Sequence, residues 1–356
     1  MTEPLTRYGW DDRWSSRYHD HLQTPAAAEA DGPVPGRVIR HDGAGLMVAL
    51  DAGPVRAMFG PPVQPPPVVG DWVVLDRHHT PIATLPRDSL LRRRAAGTGE
   101  KEQPMAANVD LVLVVCGLDR PVRTGRIQRT ITIALDAGAE SLVVLTKADK
   151  VGPEVAVEAE MVAAEVDPTL EVVTLSAKGG WGIDDLLERV GQRTVALIGE
   201  SGAGKSTLVN ALMAGDVAAE GDVREADSKG RHTTTHRELH LLPGGGVLVD
   251  TPGMREVGIW TDTEAVAESF PDIDELAERC RFRDCAHESE PGCAVRAAVA
   301  DGTLAQERLD AWRALDAEAA SAEMRADVVE RHRRNRQFGR MAREAMRLKE
   351  EGRNLP

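Results

Sequence analysis

Apolar positions fall into three patterns that follow one another along the chain. In residues 1–32, Trp10, Trp14 and Tyr18 recur every fourth position, which predicts one face of a short amphipathic helix. A face of that kind docks on a neighbouring domain or stacks on RNA bases, and docking is the reading adopted. From Gly36 to about Leu85 the pattern shortens to strand-length runs at 36–41, 45–50, 55–59, 70–76 and near Pro81, punctuated by Gly and by Pro65, Pro66 and Pro67. Five such strands suit a small OB-type β-barrel, with an SH3-like barrel as the alternative. Trp72 and Phe59 are assigned to its core. From about Asn108 to Val257, continuous apolar runs at 110–117, 141–146, 171–176, 194–199 and 246–250 alternate with helix-compatible segments at 124–137, 154–166 and 183–191. Runs without polar alternation are strands covered on both faces, so this part is α/β with a mostly parallel sheet. Cys116 lies inside one such run as a core residue.

The expected organisation is multidomain: a lead-in at 1–32, an OB-fold-like barrel at 33–100, an α/β domain at 101–262 and a C-terminal domain at 263–356 with helices. The longest apolar run, Leu111 to Leu118, is a strand's length and far short of a membrane span. No secretory signal pattern opens the chain. Four cysteines are too few for a disulfide scaffold, so a reducing, cytoplasmic location without membrane contact is expected.

Charge changes this picture only locally. Lys and Arg number 43 against 57 Asp and Glu, a formal net charge of −14, which excludes nucleic-acid binding by bulk charge. Two basic segments remain. Arg92, Arg93 and Arg94 form either a solvated linker or a phosphate contact. Residues 325–356 hold ten Lys and Arg against five Asp and Glu, and Arg336, Arg340 and Arg343 can share a helical face.

The chemistry begins at Gly199, Glu200, Ser201, Gly202, Ala203, Gly204, Lys205, Ser206 and Thr207, which match G-x4-G-K-[ST] between an apolar strand and a helical run. That context defines a phosphate-binding loop: backbone N–H groups cradle phosphates at a helix N-terminus, Lys205 reaches the β- and γ-phosphates, and Ser206 ligates Mg²⁺. Asp250 and Gly253, in Asp-Thr-Pro-Gly, end a later strand and suit a water-mediated Mg²⁺ contact and a γ-phosphate contact. Between them and the loop lies Lys229 to Thr235, a threonine-rich segment that fits a nucleotide switch. Thr146, Lys147, Ala148 and Asp149 resemble the N-K-x-D guanine motif, since a carboxylate accepts from guanine N1–H and its exocyclic amine. Ser176, Ala177 and Lys178 resemble the turn whose backbone reads guanine O6. Both precede the phosphate loop, the reverse of the usual order, and a compact α/β domain tolerates such a permutation. Thr146 stands where Asn is usual; a hydroxyl cannot span two partners as a carboxamide does, so weaker guanine affinity is expected. Met254 stands where a water-orienting Gln is common, and His232 is the candidate to replace it.

Cys280, Cys285, His287 and Cys293 supply three thiolates and an imidazole within fourteen residues. A full tetrahedral shell of this kind holds a structural Zn²⁺. Barrel, permuted nucleotide motifs and the Cys-x4-Cys-x-His-x5-Cys cluster together resemble the RsgA (YjeQ) family of bacterial ribosome small-subunit-dependent GTPases. The resemblance implies a circularly permuted P-loop GTPase carrying one zinc ion and Mg²⁺ with GTP. It further implies GTP hydrolysis stimulated by the 30S subunit, 16S rRNA contact and a late maturation role; a monomer is expected. It makes Thr234 the switch threonine on Mg²⁺. Loss of the γ-phosphate would relax residues 250–258 and shift the zinc module on the ribosome. The competing readings are a P-loop ATPase or kinase, and a zinc-stabilised RNA-binding module that holds GTP without turnover.

Overall fold

Runs of buried residues shape the first β unit, with the strand Trp72–Leu75 buried along its whole length. The computed structural model describes residues 4–24, 30–41, 45–58, 60–94, 102–217, 237–250, 266–267, 269–317 and 319. Strands β1 (Val34–His41), β2 (Gly45–Leu50), β3 (Gly53–Met58), β4 (Trp72–Leu75) and β5 (Pro81–Thr84) run antiparallel in the order β3-β2-β1-β4-β5. All five predicted strands are present. β1 serves two partners: its first half pairs with β4 and its second with β2, with a register shift between Val38 and Arg40. Among the described residues no β3–β5 pair closes the sheet.

The lead-in forms a 3-10 turn, Leu5–Tyr8, and helix α1 (Asp12–Leu22), whose N-cap Asp11 accepts from the Trp14 amide. Its aromatic residues dock on the β unit as expected, with Trp14 and Tyr18 on the helix and Trp10 just before it. Trp10 and Trp14 sit 4.9 Å and 5.7 Å from the fully buried Trp72, each pair adding about 0.5–1.5 kcal/mol beyond its burial.

Arg92–Arg94 are part of a strand and not of a linker. They lie in β6 (Leu90–Arg94), which pairs with β7 (Glu102–Ala107), and Arg92 forms an ion pair with Asp136 at 2.7 Å.

The α/β part comprises β8 (Leu111–Gly117), α2 (Thr124–Asp136), β9 (Glu140–Thr146), α3 (Pro153–Val166), β10 (Val172–Thr174), α4 (Ile183–Val190), β11 (Thr194–Gly199), α5 (Lys205–Val217), β12 (Arg237–Leu241) and β13 (Val247–Asp250). Its strand order is β10-β9-β8-β11-β13-β12, parallel throughout except for the antiparallel β12. Cys116 lies in β8, and burial pushes its thiol up to about 11.

Two joints tie the units together. β12 pairs with β1 through Arg40–Glu238 and His41–Arg237, and Val38, Leu46 and Val48 share one core with Val112, Ile198 and Val249. Arg37 is fully buried yet charged. It donates to the carbonyls of Tyr8, Gly70 (3.2 Å) and Asn108 (3.3 Å) and to the Thr194 hydroxyl (2.9 Å). Burial lowers its pKa to about 10, still well above neutrality.

The C-terminal unit carries α6 (Pro271–Ala277), α7 (Ala294–Asp301) and a helical stretch at 306–317 around Phe270, Ile273, Val295 and Leu309. Arg308 pins it to the α/β part: the guanidinium grips Asp272, Gln128 Oε1 (2.9 Å) and the Val166 carbonyl (3.3 Å).

Candidate functional site

Five parallel strands end along one edge, and the predicted nucleotide segments meet there. Gly117 is level with Thr146, and Gly199 with Val115. Asp250 ends β13 one residue beyond the Ala196–Val249 pair. Between β11 and α5, Gly202 and Gly204 take positive φ angles of 77° and 94°, which side-chain-bearing residues rarely adopt. Gly204 also has no room for a side chain, since a Cβ would stand 3.2 Å from Thr146 Oγ1. The Lys205 ammonium is buried over the loop and donates to the carbonyls of Gly199 and Glu200. Ser201, Ser206 and Thr207 are exposed at its mouth.

The base-side segments, separate in sequence, are in contact. Ser176, fully buried, donates to Asp149 Oδ1 at 2.5 Å and accepts from the Gly179 amide at 2.9 Å. That hydroxyl holds the Asp149 carboxyl below the usual carboxylate range. The Ala148 amide donates to Leu175 O at 3.3 Å, while Ala177 is half-buried and Lys178 exposed.

Thr146 keeps half of the role its replacement of Asn put in question. Its hydroxyl donates to the Ala203 carbonyl at 2.5 Å, with Cys116 O farther off at 3.3 Å. Lys147 lies in the left-handed region at φ 62°, and its ammonium bonds Asp119 Oδ2 at 2.7 Å and the Gly202 carbonyl.

Sequence reading missed the turn after β8. Asp119 meets Lys147, whereas Arg120 and Arg126 flank Glu200 of the phosphate loop at 3.6 Å and 2.6 Å. The available signal was position: polar residues just past the C-terminal end of a parallel strand face the ligand crevice. A cavity of about 490 Å³ opens on the α2 side of Gly199 and Glu200, rimmed by Arg120, Arg123 and Arg126. His232, Thr234, Gly253 and Met254 lie outside the described residues, as does the basic segment 325–356.

The metal cluster assembles as predicted. The four donor atoms of Cys280, Cys285, His287 and Cys293 lie within 4.8 Å of one another. Cys280 and Cys293 sulfurs are 3.9 Å apart, and His287 Nδ1 is 3.6 Å and 3.4 Å from them. Tetrahedral zinc with Zn–S near 2.3 Å requires S···S and S···N edges of about 3.5–3.8 Å, so the set fits Zn²⁺. Trp312 stands edge-on to His287 at 5.3 Å and Arg313 donates to its carbonyl, fixing a ligand that itself takes φ 58°.

Known proteins resemble this chain over most of its length. A family model described as RsgA GTPase matches residues 84–260. Small ribosomal subunit biogenesis GTPase RsgA 2 of Vibrio parahaemolyticus is 38% identical, covering 97% of this chain and 93% of that one. Small ribosomal subunit biogenesis GTPase RsgA of Streptomyces coelicolor is 43% identical over 96% of each chain. Of solved structures, YjeQ from Thermotoga maritima aligns with a TM-score of 0.60 at 24% identity, covering 81% of this chain and 99% of that one. YloQ, described as a circularly permuted GTPase, aligns at 0.59 and 23% identity, over 82% and 97%. The solved structures share the fold, and the curated relatives align with nearly the whole of the sequence: this chain belongs to the RsgA GTPase family.

Proposed function

We propose that this chain hydrolyses GTP to GDP and phosphate under stimulation by the small ribosomal subunit, acting late in 30S maturation in contact with 16S rRNA. The observation that carries the reading is the meeting of Asp149, Ser176 and the phosphate loop at one sheet edge. Asp149 accepts from guanine N1–H and the exocyclic amine, which adenine lacks, and the Ser176–Lys178 turn reads guanine O6. Residues 199–207 cradle the phosphates, with Lys205 on the β- and γ-oxygens. Ser206 and Thr234 would hold Mg²⁺, with Asp250 acting through water; Mg²⁺, when bound, neutralises phosphate charge. Gly253 meets the γ-phosphate and His232 positions water. Zinc at the Cys₃His cluster is structural.

The relatives' names support the small subunit as partner. Contact with rRNA is supported at the zinc loop, where Arg279, Arg281 and Arg283 are exposed and make no ion pair among the described residues. Phe282 is 40% exposed there with the Arg281 guanidinium 5.5 Å from its ring, a basic and aromatic pairing suited to unpaired nucleotides. The division at 32, 100 and 262, a cytoplasmic location and a monomeric state complete the proposal.

Phosphate release titrated with purified 30S subunits tests it. Saturable stimulation is expected, and Asp149→Asn should cost GTP at least about tenfold in affinity relative to the parent. Turnover indifferent to the subunit, or equal use of ATP and GTP, would refute the reading.

A further inference from the structure

We infer that Asp119 is a positioning residue of the guanine site, holding the Lys147 ammonium against the phosphate loop and supplying a tie that an Asn at position 146 would make. The inference rests on the proposed reading of residues 146–149 as the guanine motif.

Thr146 has one hydroxyl proton, and it is committed to the Ala203 carbonyl at 2.5 Å. A carboxamide has two donors and an acceptor, so the replacement leaves the base segment with one fewer link to the loop beneath it. The adjacent residue makes up the difference. Lys147 stands in a left-handed conformation that L side chains rarely adopt, and its ammonium is clasped between Asp119 Oδ2 at 2.7 Å and the Gly202 carbonyl. The ammonium's hydrogen bond also keeps the Asp119 carboxyl below its ordinary range, so the clasp is charged at neutral pH.

The turn carrying Asp119 is itself fixed. The Leu118 amide donates to Thr146 O at 2.9 Å. A Cβ on Gly117 would stand 2.9 Å from Asp119 Oδ1 and 3.3 Å from Ala203 Cα, so a larger residue there would push on both the Asp119 carboxylate and the phosphate loop. Next in the chain, Arg120 approaches Glu200 at 3.6 Å. One short turn thus braces the base side with a carboxylate and the phosphate side with a guanidinium. An isolated ion pair as exposed as this one is weak; its effect lies in where it holds the Lys147 stem.

Release of a fluorescent GDP analogue from the full-length, zinc-loaded protein tests this in a double-mutant cycle. Asp119→Ala, and Asp119→Asn as the shape-conserving variant, should release the nucleotide about three- to tenfold faster in the Thr146 parent, with Asp119→Glu restoring part of the loss. In a Thr146→Asn background the same changes should alter release by less than about twofold, because the carboxamide supplies the tie. Unchanged release in the parent, or equal acceleration in both backgrounds, would overturn the proposal. If Asp149→Asn abolishes guanine preference while the Asp119 variants are silent, the brace fails and the site reading stands. If Asp149→Asn leaves guanine preference intact, the site reading itself fails.

Discussion

The bond between Ser176 and Asp149 joins two residues 27 positions apart and favours the ionised form of the group proposed to read guanine. Only the ionised carboxylate accepts two donors from the base. Because the hydroxyl holds the folded pKa below the ordinary carboxylate value, nucleotide binding should persist as the pH falls through the usual Asp range and be lost only below it. Ser176→Ala removes that hydrogen bond. The Asp149 carboxyl should then titrate nearer its ordinary range, so GDP affinity should fall earlier on acidification than in the parent and match it more closely near pH 7. Equilibrium titration of a fluorescent nucleotide across this range reads the difference; superimposable pH profiles would contradict the assignment.

Legibility at the residue level tracked sequence distance. The 199–207 loop, the 146–149 segment and the zinc ligands were readable because each packs its chemistry into a few consecutive positions. Asp119 was not, since its partner Lys147 lies 28 positions away and its other context, Gly202, 83 positions from it, comes from the far side of the permutation. Arg92 misled for the same reason: three arginines in a row look solvated until Asp136, 44 positions on, takes one of them.

At the level of elements, β1 does more than a barrel strand's share. It pairs with β2, β4 and β12, and from it Arg37 reaches the lead-in, the β8 entry and the first residue of the phosphate-loop strand. A charged side chain in a strand normally faces water. Here it faces the junction instead, and the buried charge is compensated by oxygens from four segments. Arg37→Met should therefore destabilise the fold by about 2–5 kcal/mol, since it strands those acceptors without solvent. Arg37→Lys, keeping the charge and some of the bonds, should cost less. Urea unfolding reads both through the midpoint. A midpoint unmoved by Arg37→Met would show the acceptors to be satisfied otherwise.

Across the whole molecule, α2 is the common neighbour of the phosphate loop and the zinc unit. Arg126 on this helix contacts Glu200, and Gln128, two residues on, contacts Arg308. Sequence patterns gave the existence of the C-terminal unit but not its docking, because Arg308 and Gln128 lie 180 positions apart. Arg308→Ala should loosen the docking while leaving zinc content and unstimulated GDP release unchanged, and subunit-stimulated turnover should fall several-fold, about 1 kcal/mol. His287→Ala should lose the metal altogether, as metal analysis of the purified protein would report. A metal-free but fully stimulated His287→Ala protein would remove the zinc unit from the mechanism.

The strand pairing at Arg40–Glu238 and His41–Arg237 also bears on how separate copies of the chain treat one another. β12 is the last strand on its side of the α/β sheet, and without β1 its outer row of amides and carbonyls would stand open to any passing strand. The N-terminal β unit closes that edge. A shortened chain beginning at residue 102 would keep the nucleotide loops and the zinc ligands yet present β12 bare. Light scattering should then reveal stronger concentration-dependent self-association than in the full chain. What the two residue pairs contribute, beyond holding two units together, is a strand edge closed to other copies of the chain.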